Sequence, residues 1–247
     1  MHHSSSSIFL PVQRLRATPR GGHCPLLKEC PGSATSIMCE PWRGTAERLT
    51  VPRGATVFCA GDVAGTHVFA TLYGSFKCSQ VDAQGREQIF GFRLRGDFVA
   101  LDTIGLERHT YQLTALEDSA VCVISVAGLY AHPLTMQLLI SKELAREQRA
   151  ALVLRNNGAE SRLAHFFLDL GDRHQLCGLS GRRFRLSMER QDIAGYLALS
   201  PASISRALRK LQQAGLIDFI DRDITIFDKP GLQLLIAGGS TEATELD

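Results

Sequence analysis

From Pro133 the chain runs for about 24 residues without a helix breaker, PLTMQLLISKELAREQRAALVLRNNG, and stops at Asn156-Asn157-Gly158. A helix of this length carries more surface than a small roll alone can hide. Ile140, Leu144, Glu147, Ala151 and Leu154 recur along it at intervals of three and four residues. That stripe reads as a dimerisation seam against a second copy of the chain, the other reading being packing within one chain. Glu147 is an acid on the stripe, and would oppose pairing unless neutralised or partnered.

The texture differs on the two sides of this helix. Between residues 46 and 130 short β-rich segments (TVFCAG, HVFATLYG, REQIFGF, AVCVISV) alternate with turns. Gly74, Gly85 and Gly96 recur at a spacing of eleven, and Gly54 and Gly65 repeat it, each expected to supply a positive φ. Short strands separated by such turn signals predict a β-roll or sandwich. After Glu160 the sequence reads as helices followed by a hairpin. The fold class is therefore α+β. Its parts are a tail over 1–23, a Cys-containing segment over 24–45, the roll over 46–130, the long helix over 132–157, a helical domain over 160–237 and a flexible tail over 238–247.

Composition excludes several classes. Hydrophobic residues make up 45% and charged residues 21%, which is globular rather than disordered. No apolar run approaches the ~20 residues of a membrane-spanning helix, and Ile8 to Val12 is too short for a signal-peptide core. The expected location is the cytoplasm, where thiols stay reduced, and seven cysteines are in any case an odd number for a disulfide framework.

The chain carries a net charge of only +2, but its distribution is uneven. Between Ser180 and Gln212 seven basic residues face two acidic ones, a local +5 that leaves the rest of the chain at −3. This basic patch is the footprint expected of a polyanion partner. Within it, Ile193, Ala194 and Leu197 form the apolar face of one helix. Ala198-Leu199-Ser200 is a tight connection, and Ser200-Pro201 is an N-cap followed by a proline at the first helical position. On the second helix Ile204, Leu208 and Leu211 face inward, while Ala202, Ser205, Arg206 and Arg209 face out. This is helix-turn-helix logic, in which a braced second helix enters the DNA major groove. Arg206 has the reach for guanine O6 and N7, and Ser203, Ser205, Arg209 and Lys210 suit phosphates. The segments Leu216–Ile220 and Ile224–Ile226 would form the wing.

This order of parts resembles the cyclic-AMP receptor / fumarate-nitrate regulator (CRP/FNR) family of transcription factors, over about residues 24–237. The resemblance rests on VPRGATVFCAGD, DAQGREQIFGFRLRGDFVALDTIG, ESRLAHFF and FRLSMERQDIAGYLALSPASISRALRKLQQAGLI. It implies a cyclic-nucleotide-binding-like β-roll, a dimerisation helix and a winged helix-turn-helix. The implied partners are double-stranded DNA, a second copy of the chain and RNA polymerase. GFRLRGDFVALDTIG looks closest to the oxygen-sensing fumarate-nitrate branch, which holds a [4Fe–4S] cluster on three N-terminal cysteines and one later cysteine.

Carried over to this chain, Cys122 matches the later ligand, Cys39 the third and Cys30 the first, while Ser33 stands where the second would be. Serine is a poor substitute for a soft thiolate. Cys24 completes the set Cys24, Cys30, Cys39 and Cys122 with an unfamiliar spacing, and His23 is an alternative. A regulator of the same fold that senses thiol oxidation, haem or a small ligand is the rival reading. A β-roll enzyme is a remoter one, because the histidines are scattered and no catalytic constellation is present. Cyclic-nucleotide binding is not expected, since Leu106 to Tyr111 lacks the Arg-Ser pair of that pocket. The family's recognition-helix Glu is replaced by Ala202, which leaves the adjacent base preference open.

Overall fold

The computed structural model describes residues 47–156 and 158–238. The tail over 1–23, the cysteine segment over 24–45 and the chain beyond Gly238 lie outside the described residues. The glycine-punctuated part forms eight strands: β1 (Glu47–Val51), β2 (Thr56–Phe58), β3 (His67–Tyr73), β4 (Ser75–Val81), β5 (Glu87–Leu94), β6 (Phe98–Val99), β7 (Gln112–Ala115) and β8 (Ser119–Ser125). They pair antiparallel in two four-stranded sheets, ordered β1-β8-β3-β6 and β2-β7-β4-β5. This is a β-roll.

Side chains alternate faces along a strand, and β3 and β8 bury both faces. Phe69, Val121 and Val123 point into the roll, where they meet Val57, Phe58, Phe76 and Leu113. Val68, Ala70, Leu72, Ala120, Cys122 and Ile124 form a second layer on the opposite face. That layer is closed by Leu129 of α1 (Val126–Tyr130) and Leu139 of α2 (Pro133–Asn156). A fully buried Phe or Leu stabilises by about 1.5–3 kcal/mol, so both layers are needed.

β1, β4, β6 and β7 add to the strands read from the sequence. β4, SFKCSQV, buries Phe76 and Cys78 beneath a polar pattern in which Lys77 pairs with Glu87 of β5 at 2.9 Å. Gly54, Gly74, Gly85 and Gly96 take positive φ as expected, whereas Gly65 does not, so the eleven-residue repeat of turn geometry fails there. A turn between Leu101 and Ile104 orders the return to β7. In it Asp102 lies 3.2 Å from His109 Nδ1 and accepts the Thr110 N–H at 3.0 Å.

The described residues divide into two compact units within α2, between Ile140 and Ser141. The second unit is built on α3 (Ala159–Leu176), whose Leu163, Phe166, Phe167 and Leu170 are buried. Around it stand β9 (Arg183–Arg185), α4 (Arg190–Tyr196), α5 (Pro201–Gln213), β10 (Ile217–Ile220), β11 (Asp223–Ile226) and α6 (Lys229–Gly238). The three strands make an antiparallel sheet ordered β10-β11-β9.

Two glycines separate backbone strain from crowding. Gly74 and Gly85 have nearly the same φ, +80° and +79°, but a Cβ on Gly74 would lie 2.7 Å from Ser119 Cα, while one on Gly85 would meet nothing. Gly85→Ala should cost the ~1–2 kcal/mol of a left-handed L-residue. Gly74→Ala should cost clearly more, read as a larger fall in thermal midpoint. Equal falls would mean that β8 yields at Ser119.

Candidate nucleic-acid interface and cysteine site

α4 begins at Glu189, whose backbone N–H donates to Asp192 Oδ2 at 3.0 Å, and it buries Ile193 and Ala194. The connection to α5 is tight enough to drive Ala198 to φ +51°, a conformation that costs an L-residue about 1–2 kcal/mol. Two contacts hold it there. Leu199 N–H donates to Ala194 O at 2.9 Å, and the Arg162 guanidinium on α3 donates to Leu197 O at 2.9 Å. A cation at the C-terminal carbonyls of a helix also offsets the helix dipole.

α5 starts at Ser200, whose Oγ accepts the Ser203 N–H at 3.1 Å, with Pro201 in the first turn. Ile204, Ala207, Leu208 and Leu211 are buried. Ala202, Ser205, Arg206, Arg209 and Lys210 are exposed and Ser203 is half-buried. The predicted residues therefore share one outward surface, but their side chains are not equivalent. Arg206 Nη2 donates to Ser203 Oγ at 3.0 Å, and Ser203 Oγ lies 2.9 Å from Ser200 Oγ, so the cap and the arginine form one hydrogen-bonded chain. Ser205 Oγ donates back to Pro201 O at 3.0 Å. Lys210 Nζ sits 2.5 Å from Glu160 Oε1 of α3, while Arg209 makes no ion pair among the described residues.

The expected hairpin is β10–β11, turned at Asp221 (φ +55°) and Arg222. Sequence reasoning missed its third strand: β9 pairs with β11 and brings Arg183 and Arg185 onto the same sheet, with Arg182 beside it. The signal was the RRFR run itself, basic on alternate positions around a buried Phe184. The wing is tied to the loop that leads into α4 by Arg222, which donates to Ser187 O at 3.2 Å, and to α4 itself by Arg190, whose guanidinium lies 5.2 Å from the Phe219 ring centroid.

On α2 the predicted stripe is uneven. Ile140 is 41% exposed and Leu144 57%, and Ala151 is exposed, while Glu147 and Leu154 are half-buried. Leu154 turns into a recess with Ala150, His165, Phe166 and Tyr196 of its own unit. Leu134, Leu138 and Leu152 are also exposed and were missed; at 3.6 residues per turn they share a second face, roughly 120–160° round the helix from the stripe. Arg146 Nη2 lies 2.6 Å from Glu143 Oε1 and 3.8 Å from Glu147 Oε1, so the acid on the stripe has a neighbouring cation.

Cys24, Cys30 and Cys39, with His23 and Ser33, lie outside the described residues. Cys122 is buried on β8, opposite Arg48 of β1 and Ala70 of β3. Cys78 is buried on β4, and Cys59 and Cys177 are half-buried. Burial, and then the Asp62 carboxylate, push the Cys59 thiol above its ordinary value, which makes it a poor thiolate.

A β-roll, a long helix and a winged helix-turn-helix with an exposed arginine on the second helix define a DNA-binding transcriptional regulator. Residues 48–131 match the cyclic nucleotide-binding domain family and residues 161–235 the Crp-like helix-turn-helix domain family. The chain is 33% identical over 245 residues to the fumarate and nitrate reduction regulatory protein of Salmonella typhimurium, covering 92% of this chain and 97% of that protein. It is 34% identical over 197 residues to the transcriptional regulatory protein btr of Bordetella pertussis, covering 77% and 81%. The structure of FixK2 from Bradyrhizobium japonicum superposes with a TM-score of 0.70 at 24% identity, over 77% of this chain and 97% of that one, and supports the fold. The chain belongs to the CRP/FNR family, and it is a regulator rather than an enzyme. No helix among the described residues is long and apolar enough to cross a membrane.

Proposed function

We propose that the chain is a cytoplasmic, homodimeric regulator that senses oxygen or redox state and binds an inverted-repeat operator, with RNA polymerase as its further partner. The observation that carries the sensing part is the position of Cys122. It lies in the same buried layer as Leu139, at the head of the long helix. A change at this thiol thus falls in the layer that the helix carrying the proposed seam helps to close. Several relatives bear the name fumarate and nitrate reduction regulatory protein, which favours the same sensing class.

Cys24, Cys30, Cys39 and Cys122 would hold a [4Fe–4S] cluster, which supplies oxygen-labile iron chemistry when bound. Cys122 fits the role: it is buried in a layer that excludes water, on a strand fixed by pairing on both sides. The protein's part is mechanical. Ordering the N-terminal segment against Cys122 would reset the layer that Leu139 closes and bias Ile140 and Leu144 toward a second copy. Glu147 would resist that pairing except as far as Arg146 offsets its charge. Recognition helices of the two copies would then enter major grooves one DNA turn apart, ~34 Å. Arg206 reads guanine, Ala202 offers only a methyl for thymine contact, and Ser203, Ser205, Arg209 and Lys210 face phosphates.

Ser33 in place of a cysteine favours a second reading, a same-fold regulator that senses thiol oxidation, haem or a small ligand. A cyclic nucleotide is not the proposed ligand in either case. The Leu106–Tyr111 stretch spends its polar groups on the protein: Arg108 donates to Gly61 O at 2.7 Å, and His109 stacks on Phe58 with centroids 3.8 Å apart while its Nδ1 meets Asp102. Burial raises the Asp102 carboxyl, but the hydrogen bonds from His109 and the Thr110 N–H outweigh it and hold the group below its ordinary range.

Iron per chain after anaerobic reconstitution separates the readings. Cys24→Ser, Cys30→Ser, Cys39→Ser and Cys122→Ser should each lose the iron, and Cys59→Ser, Cys78→Ser and Cys177→Ser should keep it. If Cys24→Ser alone among the first four keeps its iron, the fourth ligand is His23 or Ser33; if the wild type takes up none, the cluster reading falls. For the seam, Leu144→Glu should leave monomers in sedimentation, because a carboxylate in an apolar interface costs several kcal/mol. Intact dimers would move the seam to Leu134, Leu138 and Leu152.

A further inference from the structure

Lys210 faces the same way as Arg206, one helical turn further along α5, yet its ammonium is engaged within the protein. Its partner, Glu160, stands in the first turn of α3, with Nζ and Oε1 2.5 Å apart. The two side chains differ in exposure. The Glu160 side chain is 26% exposed and the Lys210 side chain 67%, so the carboxylate is the more buried member and the ammonium the one open to an outside anion. The hydrogen bond from Lys210 holds the Glu160 carboxyl below its ordinary range, with the charges of Lys210 and then Arg206 adding to it. The N-terminus of α3 favours an anion at the same place. Glu160 is therefore ionised at neutral pH, within electrostatic reach of two of the cations assigned to DNA.

We infer that Glu160 is a positioning residue of the DNA interface, an internal counter-anion that competes with backbone phosphate for Lys210 and so lowers the strength and salt dependence of binding. The inference rests on the DNA-facing assignment of α5 made above. A phosphate that takes Lys210 must displace a carboxylate already in place and then remain beside it, inside the ~8 Å screening length of physiological salt. Lys210 in the wild type then contributes little net counterion release. Each phosphate neutralised by a free cation should steepen the plot of log affinity against log salt by ~0.9. As an exposed ion pair alone, the contact would add little to stability and would leave that slope untouched.

The test uses the full chain, a fluorescent mixed-sequence duplex and salt from about 50 to about 200 mM, the range over which phosphate contacts dominate. Glu160→Gln should bind the duplex several-fold more tightly at the low end, with a slope steeper by ~0.9 per protomer. Lys210→Ala in the wild-type background should change the slope little, and in combination with Glu160→Gln it should return the slope to the wild-type value. Duplex binding with equal slopes for wild type and Glu160→Gln overturns the counter-anion, as does a full ~0.9 loss of slope on Lys210→Ala alone. Failure of the wild type to bind any duplex would instead overturn the DNA-facing assignment of α5, and the inference with it.

Discussion

The structure depends most on one strand that has no solvent face. β8 sends Val121 and Val123 into the roll and Ala120, Cys122 and Ile124 to the opposite side. Because side chains alternate strictly along a strand, the two layers cannot be adjusted independently. Cys122 shares a strand with the roll's interior and a packing layer with Leu129 and Leu139. A chemical event at that cysteine acts on a close-packed layer, where shifts of a fraction of an ångström are felt by neighbours. This gives the proposed sensor a physical route to the helix that follows.

The DNA-facing unit solves a different problem, holding one helix with its polar side bare. α5 buries Ile204, Ala207, Leu208 and Leu211 and leaves Arg206, Arg209 and Lys210 outward. Its entry is fixed by the Ser200 cap and by a strained Ala198, which Arg162 braces from α3. The cap also reaches the proposed base-reading residue through Ser203, since Arg206 donates to the hydroxyl that touches Ser200. An arginine already tethered loses less rotamer freedom on meeting a base.

Much of this was legible in the sequence because it is periodic. The buried and exposed sets of α5 follow the 3.6-residue repeat, Ser200-Pro201 is a local signal, and the uninterrupted run after Pro133 gives the long helix. What was not legible depends on partners distant in sequence. β4 and β7 are too polar to stand out, and their burial comes from each other and from β2 and β5. No local rule pairs Lys210 with Glu160, turns Leu154 into a recess against Tyr196, or adds β9 to the wing. Gly65 shows the converse, a regular spacing that carried no regular conformation. Of the proposed ligand set only Cys122 lies among the described residues, and its burial between β1 and β3 depends on strands distant in sequence.

The central claim is that the outward face of α5 reads DNA through Arg206. The most direct measurement is the affinity of wild type and Arg206→Ala for a duplex selected by the wild type from a randomised pool, beside the same duplex with its selected G·C pairs exchanged. Loss of a bidentate guanine contact should cost the variant about 1–3 kcal/mol on the selected duplex and abolish its preference between the two, with its thermal midpoint unchanged. Equal affinity of the two proteins for the selected duplex would contradict the assignment and place the reading surface elsewhere on the chain.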